Sequence, residues 1–227
     1  MNALEAARFI DISAVRTHHT LSDIEELVKY GRQYHFINLH VLPCWVPTLA
    51  KMIRDLDDVY VGSPVGFPGG GHRTETKLLE AKHLIEDGVD EMDIVMNVGK
   101  FKNKEYNYVL DELQAIIELA KNKIRMTKVI IEINTLTDEE MIKACELVKQ
   151  SGADFVKTGT GWVPGGANIE RIRKMKEFCG DDLKIKAAGG IRTYEDFKAL
   201  LDMGVERMGI NTKSAIEIVH AAEAAGR

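Results

Sequence analysis

The sequence predicts an α/β fold, a (β/α)₈ TIM barrel of near-minimal length that forms one domain over residues 1–227. Short apolar segments alternate with longer segments of helical hydrophobic periodicity along the chain. Eight such pairs occur, and strands that are each followed by a helix form parallel sheets with right-handed crossovers. A barrel needs about 200 residues or more, which this chain of 227 residues supplies. An open, doubly wound sheet is the alternative, but no Gly-x-Gly-x-x-Gly motif follows the first predicted strand.

Eight segments are predicted as strands because they are short and largely apolar. Several lack a clean alternation of polar and apolar residues, as strands covered on both faces do. In chain order the segments are residues 9–12, 36–41, 58–62, 91–95, 127–133, 154–157, 183–187 and 206–210.

Helix starts are marked by capping boxes, in which two side chains three residues apart each bond the other's backbone N–H. Ser22 with Glu25 and Thr137 with Glu140 fit this pattern. Thr193 opens a further helix with the sequence Thr-Tyr-Glu-Asp.

Composition and charge limit the class of partner. A net charge of −5 argues against nucleic acid, and no apolar run approaches the roughly 18 residues of a membrane span. The first residues carry acidic side chains and lack an export-signal pattern. Cys44, Cys145 and Cys179 show neither metal-ligand spacing nor the even count of a disulfide framework. We therefore expect a cytoplasmic protein with a small-molecule partner and no metal; barrels of this kind often form homo-oligomers.

Three polar residues near the carboxyl ends of predicted strands indicate the chemistry, because active sites of such barrels lie there. Asp93 lies in Glu-Met-Asp-Ile-Val, Lys157 ends Ala-Asp-Phe-Val-Lys, and Lys186 precedes Ala-Ala-Gly-Gly. Burial and a second nearby lysine both lower the pKa of an amine, and a neutral amine can attack an aldehyde or ketone to form an imine. A carboxylate can then move the protons. The pattern predicts a Schiff base on Lys157; a solvent-directed lysine or an ordinary ion pair is the alternative.

Several longer motifs carry a family resemblance. The first matching segments are Val65-Gly-Phe-Pro68, Val89-Asp-Glu-Met-Asp-Ile-Val95, Lys128-Val-Ile-Ile-Glu132 and Leu136-Thr-Asp-Glu-Glu140. The strongest are Gly152-Ala-Asp-Phe-Val-Lys-Thr-Gly-Thr-Gly161 and Lys186-Ala-Ala-Gly-Gly-Ile-Arg-Thr193. In these motifs, in their order and in their spacing, the chain resembles the deoxyribose-phosphate aldolase family over nearly its whole length.

The resemblance implies a class I aldolase in which Lys157 forms the Schiff base, Lys186 perturbs it and assists proton transfer, and Asp93 donates and accepts protons. The implied reaction is the reversible cleavage of 2-deoxyribose 5-phosphate to acetaldehyde and glyceraldehyde 3-phosphate, with no metal or organic cofactor. We expect the substrate to be bound by Asp11, His40, Thr158, Thr160, Gly189, Gly190, Asn211, Thr212 and Lys213. The last five lie after the seventh and eighth strands, where barrels often hold phosphate.

The chain departs from the family pattern in the expected substrate pocket. His40 stands where the family has a cysteine, and Gly159 replaces a serine. The segment Asn211-Thr-Lys213 replaces Ser-Ser-Gly. In the first strand, Ile10-Asp11-Ile12-Ser13-Ala14 replaces Ile-Asp-His-Thr-Leu. A different carbonyl or sugar-phosphate substrate is therefore the alternative.

Two further classes compete with a Schiff-base enzyme. A metal-dependent aldolase or isomerase would need a cluster of His, Asp and Glu ligands, and the adjacent His18 and His19 are better interpreted as a surface loop. A sugar-phosphate-binding protein without activity would give no reason for Lys157 and Lys186 together. Arg73, in a loop with three glycines, is expected to be solvated, with a substrate carboxylate or phosphate as its alternative partner.

Overall fold

A computed structural model describes residues 1–226, and its strands close into one parallel barrel. Each strand pairs with the next in chain order, and the eighth returns to pair with the first. The strands are β1 (Ile10–Ala14), β2 (Asn38–Val41), β3 (Tyr60–Val65), β4 (Glu91–Val95), β5 (Met126–Ile130), β6 (Phe155–Lys157), β7 (Lys184–Ala188) and β8 (Arg207–Asn211). All eight predicted strands are present, and the predicted (β/α)₈ barrel is confirmed.

Helices connect consecutive strands and cover the outside of the barrel. They are α1 (Ala3–Ala7), α2 (Leu21–Tyr34), α3 (Val46–Ile53), α4 (Thr74–Glu86), α5 (Val98–Lys102), α6 (Tyr106–Ala120), α7 (Asp138–Ser151), α8 (Ile169–Cys179), α9 (Tyr194–Asp202) and α10 (Thr212–Ala225). Short 3-10 helices at Pro43–Trp45 and Ile133–Thr135 follow β2 and β5. Among the helices of residues 1–226, none is long and apolar enough to cross a membrane.

Two of the predicted helix starts are confirmed. Thr137 caps α7 in a reciprocal bond with Glu140, and Thr193 caps α9 in the same way with Asp196. Each pair satisfies backbone N–H groups that the first turn of a helix leaves without partners.

The predicted start of α2 is wrong. The helix begins at Leu21, and its cap is Thr20 rather than Ser22. Asp23, not Glu25, completes the capping box by accepting the backbone N–H of Thr20 at 2.6 Å. The shorter Asp side chain still reaches the cap because it sits in the first turn, so the box lies two residues earlier than the Glu-based pattern suggested.

The two faces of the strands have opposite chemistry. Outward residues such as Ile10, Ile12 and Leu39 are fully buried against the helices and form the apolar core. Inside the barrel, where other barrels usually carry branched apolar side chains, charged and polar groups are packed. They are Asp11, Asn38, His40, Glu91, Asp93, Lys128, Lys157, Lys186 and Arg207. The fold therefore brings an unusually charged interior up to the carboxyl ends of the strands.

Candidate active site

A cleft of about 650 Å³ opens at the carboxyl ends of the barrel strands. Of the predicted site residues, it is lined by Asp11, His40, Lys157, Thr160, Lys186, Gly189, Gly190, Asn211, Thr212 and Lys213. This position and size suit a small-molecule substrate.

Asp93 joins the two candidate lysines beneath the floor of the cleft. Lys157 is the last residue of β6 and is 6% exposed, and its Nζ donates to Oδ2 of Asp93 at 2.7 Å. Lys186, from the middle of β7, donates to the same oxygen at 2.6 Å and also pairs with Oδ2 of Asp11. Asp93 itself lies in the middle of β4 rather than at its end, and it is fully buried. The three predicted catalytic residues are thus in direct contact.

The charge states of these groups follow from their burial and their neighbours. Burial lowers the pKa of Lys186 to about 8, against the opposing attraction of Asp11 and Asp93. Burial alone would raise the pKa of Asp93, but the charges of Lys157, Lys186 and Lys128 hold it well below its usual value. Asp93 is therefore an anion, and Lys186 is an amine that can lose its proton near neutral pH.

A second layer of charges lies deeper in the barrel. Lys128 donates to Oε2 of Glu91 at 2.6 Å and lies 3.3 Å from Oδ1 of Asp93. Arg207 donates to Oδ1 of Asp11 at 2.7 Å and to Glu91 at 2.8 Å. Sequence reasoning missed Glu91, Lys128 and Arg207. The period of two along a strand contained the signal, since Glu91 lies two residues before Asp93 and shares its face.

His40 is a buried, neutral group on the wall of the cleft. Its side chain is 3% exposed, and Nε2 lies 3.6 Å from Oδ2 of Asp93. Burial holds the pKa of His40 well below its usual value, although Asp93 attracts a proton to it. Gly62 makes room for the ring, because a β-carbon there would lie 2.3 Å from Nδ1 of His40.

The ligand atoms of Asp11, His40 and Asp93 lie within 4.8 Å of one another, which is a spacing that a metal ion could use. The ammonium group of Lys186 contacts both carboxylates of this trio. A cation supplied by the chain thus already lies between the acidic ligands, and the arrangement favours amine chemistry over a metal centre.

Thr158 is the one predicted substrate contact that the fold does not bring to the cleft. Its hydroxyl donates to the carbonyl of Ala188 at 3.1 Å and accepts the N–H of Ala188 at 2.9 Å. Because Lys157 points inward, the next residue along an extended chain points outward. Thr158 therefore ties β6 to β7, while Thr160, further along the chain, returns to the cleft.

The loops after β7 and β8 form one end of the cleft. Gly189 and Gly190 have φ angles of 89° and 76°, a left-handed conformation that favours glycine. α10 starts at Thr212, and the side chain of Asn211 caps it by accepting the N–H of Ser214 at 3.1 Å. Lys213 lies in the same wall. Arg192, which the sequence analysis missed, also lines this end.

The loop after β1, which is the neighbour of β8 in the barrel, also contributes residues to the cleft. Arg16 lines the cleft, donates to the carbonyl of Gly161 at 2.9 Å and lies over the ring of Trp162 at 5.2 Å. His18 and His19 lie in this loop, as expected, and His19 also lines the cleft. Loop residues carry no periodic signal that would have placed them there.

Arg73 lies apart from the residues that line this cleft. Its side chain is 84% exposed and faces Glu75 at 3.3 Å. The structure thus agrees with a solvated loop arginine rather than with a substrate contact.

Comparisons with known proteins point in one direction. A model of the DeoC/LacD family of aldolases matches residues 50–213. The deoxyribose-phosphate aldolase of Thermococcus kodakarensis is 43% identical over 223 residues, which are 98% of this chain and 99% of that protein. The corresponding aldolase of Rhizobium meliloti is 43% identical over 215 residues, covering 95% of this chain and 86% of its own length.

Solved structures agree with this picture. An aldolase described as QR15 superimposes with a TM-score of 0.91 at 32% identity, covering 98% of this chain and 97% of that one. A tetrameric deoxyribose-phosphate aldolase from Aeropyrum pernix gives a TM-score of 0.90 at 26% identity, covering 99% and 93%.

Proposed function

Since this chain belongs to the DeoC/LacD family of aldolases and is thereby a carbon–carbon lyase, we propose that it cleaves 2-deoxyribose 5-phosphate through a Schiff base on Lys157. The products are acetaldehyde and glyceraldehyde 3-phosphate, and the reaction is reversible. The observation that carries this proposal is the pair of buried lysine amines, Lys157 and Lys186, that share one carboxylate oxygen of Asp93.

A charge balance inside the barrel explains why an amine is free to react. Asp11, Glu91 and Asp93 supply three carboxylates, and Lys128 and Arg207 supply two cations whose pKa values their acidic neighbours raise against the cost of burial. One negative charge remains for the two lysines at the floor of the cleft. A second ammonium there would be unbalanced in a medium that solvates charge poorly. Two ammonium groups here are therefore disfavoured, and burial lowers the pKa of Lys186 to about 8.

Lys157 acts as the nucleophile, and Asp93 and Lys186 transfer the protons. Nζ of Lys157 attacks the carbonyl carbon, and the resulting carbinolamine loses water to give the imine. The imine withdraws electrons, so that the bond between the second and third carbons of the sugar breaks and an enamine forms. Asp93 and Lys186, hydrogen-bonded to each other beside Lys157, carry protons to and from the substrate carbons and oxygens. Water finally hydrolyses the imine of acetaldehyde and restores the amine.

The phosphate is bound at the end of the cleft formed by the loops after β7 and β8. Gly189 and Gly190 allow a close approach to the backbone, and the start of α10 presents N–H groups to an anion. Lys213 and Arg192 supply positive charge at the same end. Asn211 and Thr212, at the start of this helix, complete the polar wall, and Asp11, His40 and Thr160 line the cleft on the side of Lys157.

We extend the proposal to the setting of the enzyme. Residues 1–227 act as a single domain in a reducing cytoplasm, which suits the free thiols of Cys44, Cys145 and Cys179. A homo-oligomer is expected by analogy with the tetrameric Aeropyrum pernix relative, and light scattering on the purified protein tests it.

Borohydride trapping tests the central step. Reduction in the presence of acetaldehyde or 2-deoxyribose 5-phosphate should leave a stable adduct on Lys157, identified by peptide mass spectrometry. An adduct on another lysine, or no adduct with either compound, would contradict the proposed function.

A further inference from the structure

The hydrogen bonds of Asn38 fix the orientation of its side-chain amide. Its Nδ2 donates to Oε2 of Glu91 at 3.1 Å, and both residues are fully buried in the barrel. A carboxylate only accepts, so the nitrogen of the amide must face Glu91. The oxygen Oδ1 of Asn38 therefore faces the other way, where it can only accept.

This orientation determines which nitrogen of His40 carries the proton. Nδ1 of His40 lies 3.4 Å from Oδ1 of Asn38. Two acceptors cannot share a hydrogen bond, so Nδ1 is the N–H donor. The ring is neutral, since burial holds its pKa well below the usual value. Nε2 therefore presents a lone pair and accepts hydrogen bonds.

That lone pair lacks a donor within the described part of the protein. Nε2 is buried, and no group of residues 1–226 forms a hydrogen bond to it. Oδ2 of Asp93 lies 3.6 Å from it and, as a carboxylate oxygen, offers no proton. His40 is nevertheless one of the residues that line the cleft, so its ring lies next to the space that a substrate occupies. A buried acceptor of this kind needs a donor that enters the cleft, and a hydroxyl group of a bound substrate can replace water in that role.

His40 lies close to the lysine that would carry the imine. Nζ of Lys157 and Nε2 of His40 both lie within 3.6 Å of the same oxygen of Asp93. In an imine on Lys157, the first carbon is bonded to Nζ and the second carbon follows it. The second carbon of an acetaldehyde donor is a methyl group, which leaves Nε2 without a partner. A hydroxyl on that carbon would donate to it.

We propose that His40 selects donors with a hydroxyl group on the carbon next to the imine. The enzyme then also uses glycolaldehyde as a donor, and it forms and cleaves pentose 5-phosphates that carry a hydroxyl group on the second carbon. This inference rests on the proposed Schiff base. Lys157 attacks the carbonyl carbon of glycolaldehyde and water leaves. The second carbon loses a proton to give the enamine, which attacks the carbonyl carbon of glyceraldehyde 3-phosphate. That oxygen takes up a proton, and water releases the pentose 5-phosphate, so that no oxidant or reductant is needed.

The wild-type enzyme gives the first test. Glyceraldehyde 3-phosphate is offered with either acetaldehyde or glycolaldehyde. Product formation is followed by mass spectrometry, and its rate gives kcat/KM for each donor. Formation of a pentose 5-phosphate from glycolaldehyde is the expected result. If borohydride traps acetaldehyde on Lys157 but glycolaldehyde gives neither product nor adduct, the selection by His40 is overturned and the proposed function stands. No adduct with either donor overturns both.

Two substitutions separate recognition from structure. His40→Leu removes the acceptor, and we expect the ratio of kcat/KM for glycolaldehyde to that for acetaldehyde to fall about tenfold, the value of one ordinary hydrogen bond. His40→Gln keeps an acceptor oxygen and should retain part of the ratio. If His40 had only a structural role, its replacement would lower kcat/KM for both donors by the same factor and leave the ratio unchanged. That result, or a Gln variant with a ratio as low as that of the Leu variant, would overturn the proposal.

Discussion

Gly159 lies directly against Glu132: a β-carbon at position 159 would lie 2.7 Å from Oε1 of Glu132, so the carboxylate would have to shift. Glu132 is buried, and its Oε2 accepts the backbone N–H of Thr160 at 3.1 Å and also its hydroxyl. The glycine at position 159 thus leaves room for the carboxylate that holds the loop after Lys157.

A side chain introduced at this position should disturb that loop. We expect Gly159→Ser to lower the free energy of unfolding by about 1–3 kcal/mol, because the new side chain must displace a well-packed neighbour. kcat should fall as well, since Thr160 lines the cleft. Thermal unfolding and steady-state kinetics measure both effects.

Gly71→Ser is the matched control, because a β-carbon there meets nothing within 4 Å. It should change stability by no more than about 0.5 kcal/mol. Equal effects of the two substitutions would contradict the role assigned to Glu132.

Removal of the nucleophile should abolish turnover and preserve the fold. Lys157→Ala leaves Asp93 paired with Lys186, so the carboxylate keeps a charged partner. We expect no measurable cleavage of 2-deoxyribose 5-phosphate and an unchanged circular dichroism spectrum. Lys184→Ala, at an exposed lysine on the neighbouring strand β7, is the control and should keep near-normal activity. Near-normal activity of the Lys157 variant would make that lysine structural.

Much of the fold and the centre of the site follow from strand patterns. The apolar segments around Lys157 and Lys186 placed both residues on neighbouring parallel strands, and the register pairs them directly. The orientation of Thr158 was missed because the alternation of side chains was not followed past Lys157. Arg16 and His19 belong to a loop whose path depends on the finished barrel, and no local sequence rule predicts such a path.

The pH dependence of the reaction should report on Lys186. Burial brings its pKa to about 8, so its ammonium form, which donates protons, is lost as the pH rises above that value. We expect kcat/KM to fall through this range in the wild type. The free energy of unfolding should change in the opposite direction and rise with pH. Between about pH 8 and 10.5 the unfolded chain binds the proton that the folded chain has lost, so the cost of burying the amine diminishes as the pH rises.

In the variant Lys186→Met, the decrease of kcat/KM near pH 8 should be absent. Where its turnover is too slow, the rate of borohydride trapping of acetaldehyde as a function of pH gives the same comparison. If the variant showed a decrease at the same pH and of the same size as the wild type, the titrating group would be a residue other than Lys186.

Recognition of the phosphate should depend on the positive charges at the end of the cleft. The side chains of Lys213 and Arg192 line the cleft, and within residues 1–226 neither forms an ion pair that would compete with an anion. A charged hydrogen bond to a phosphate contributes more than a neutral one, so Lys213→Ala should lower kcat/KM for 2-deoxyribose 5-phosphate about 10- to 100-fold, mainly through KM. The ratio of kcat/KM for the phosphorylated sugar to that for free deoxyribose should fall by a similar factor. Lys198→Ala, at an exposed lysine on α9 that pairs with Asp202, is the control for the loss of a positive charge. Equal kcat/KM for the phosphorylated and free sugars in the wild type would rule out a phosphate site in this cleft.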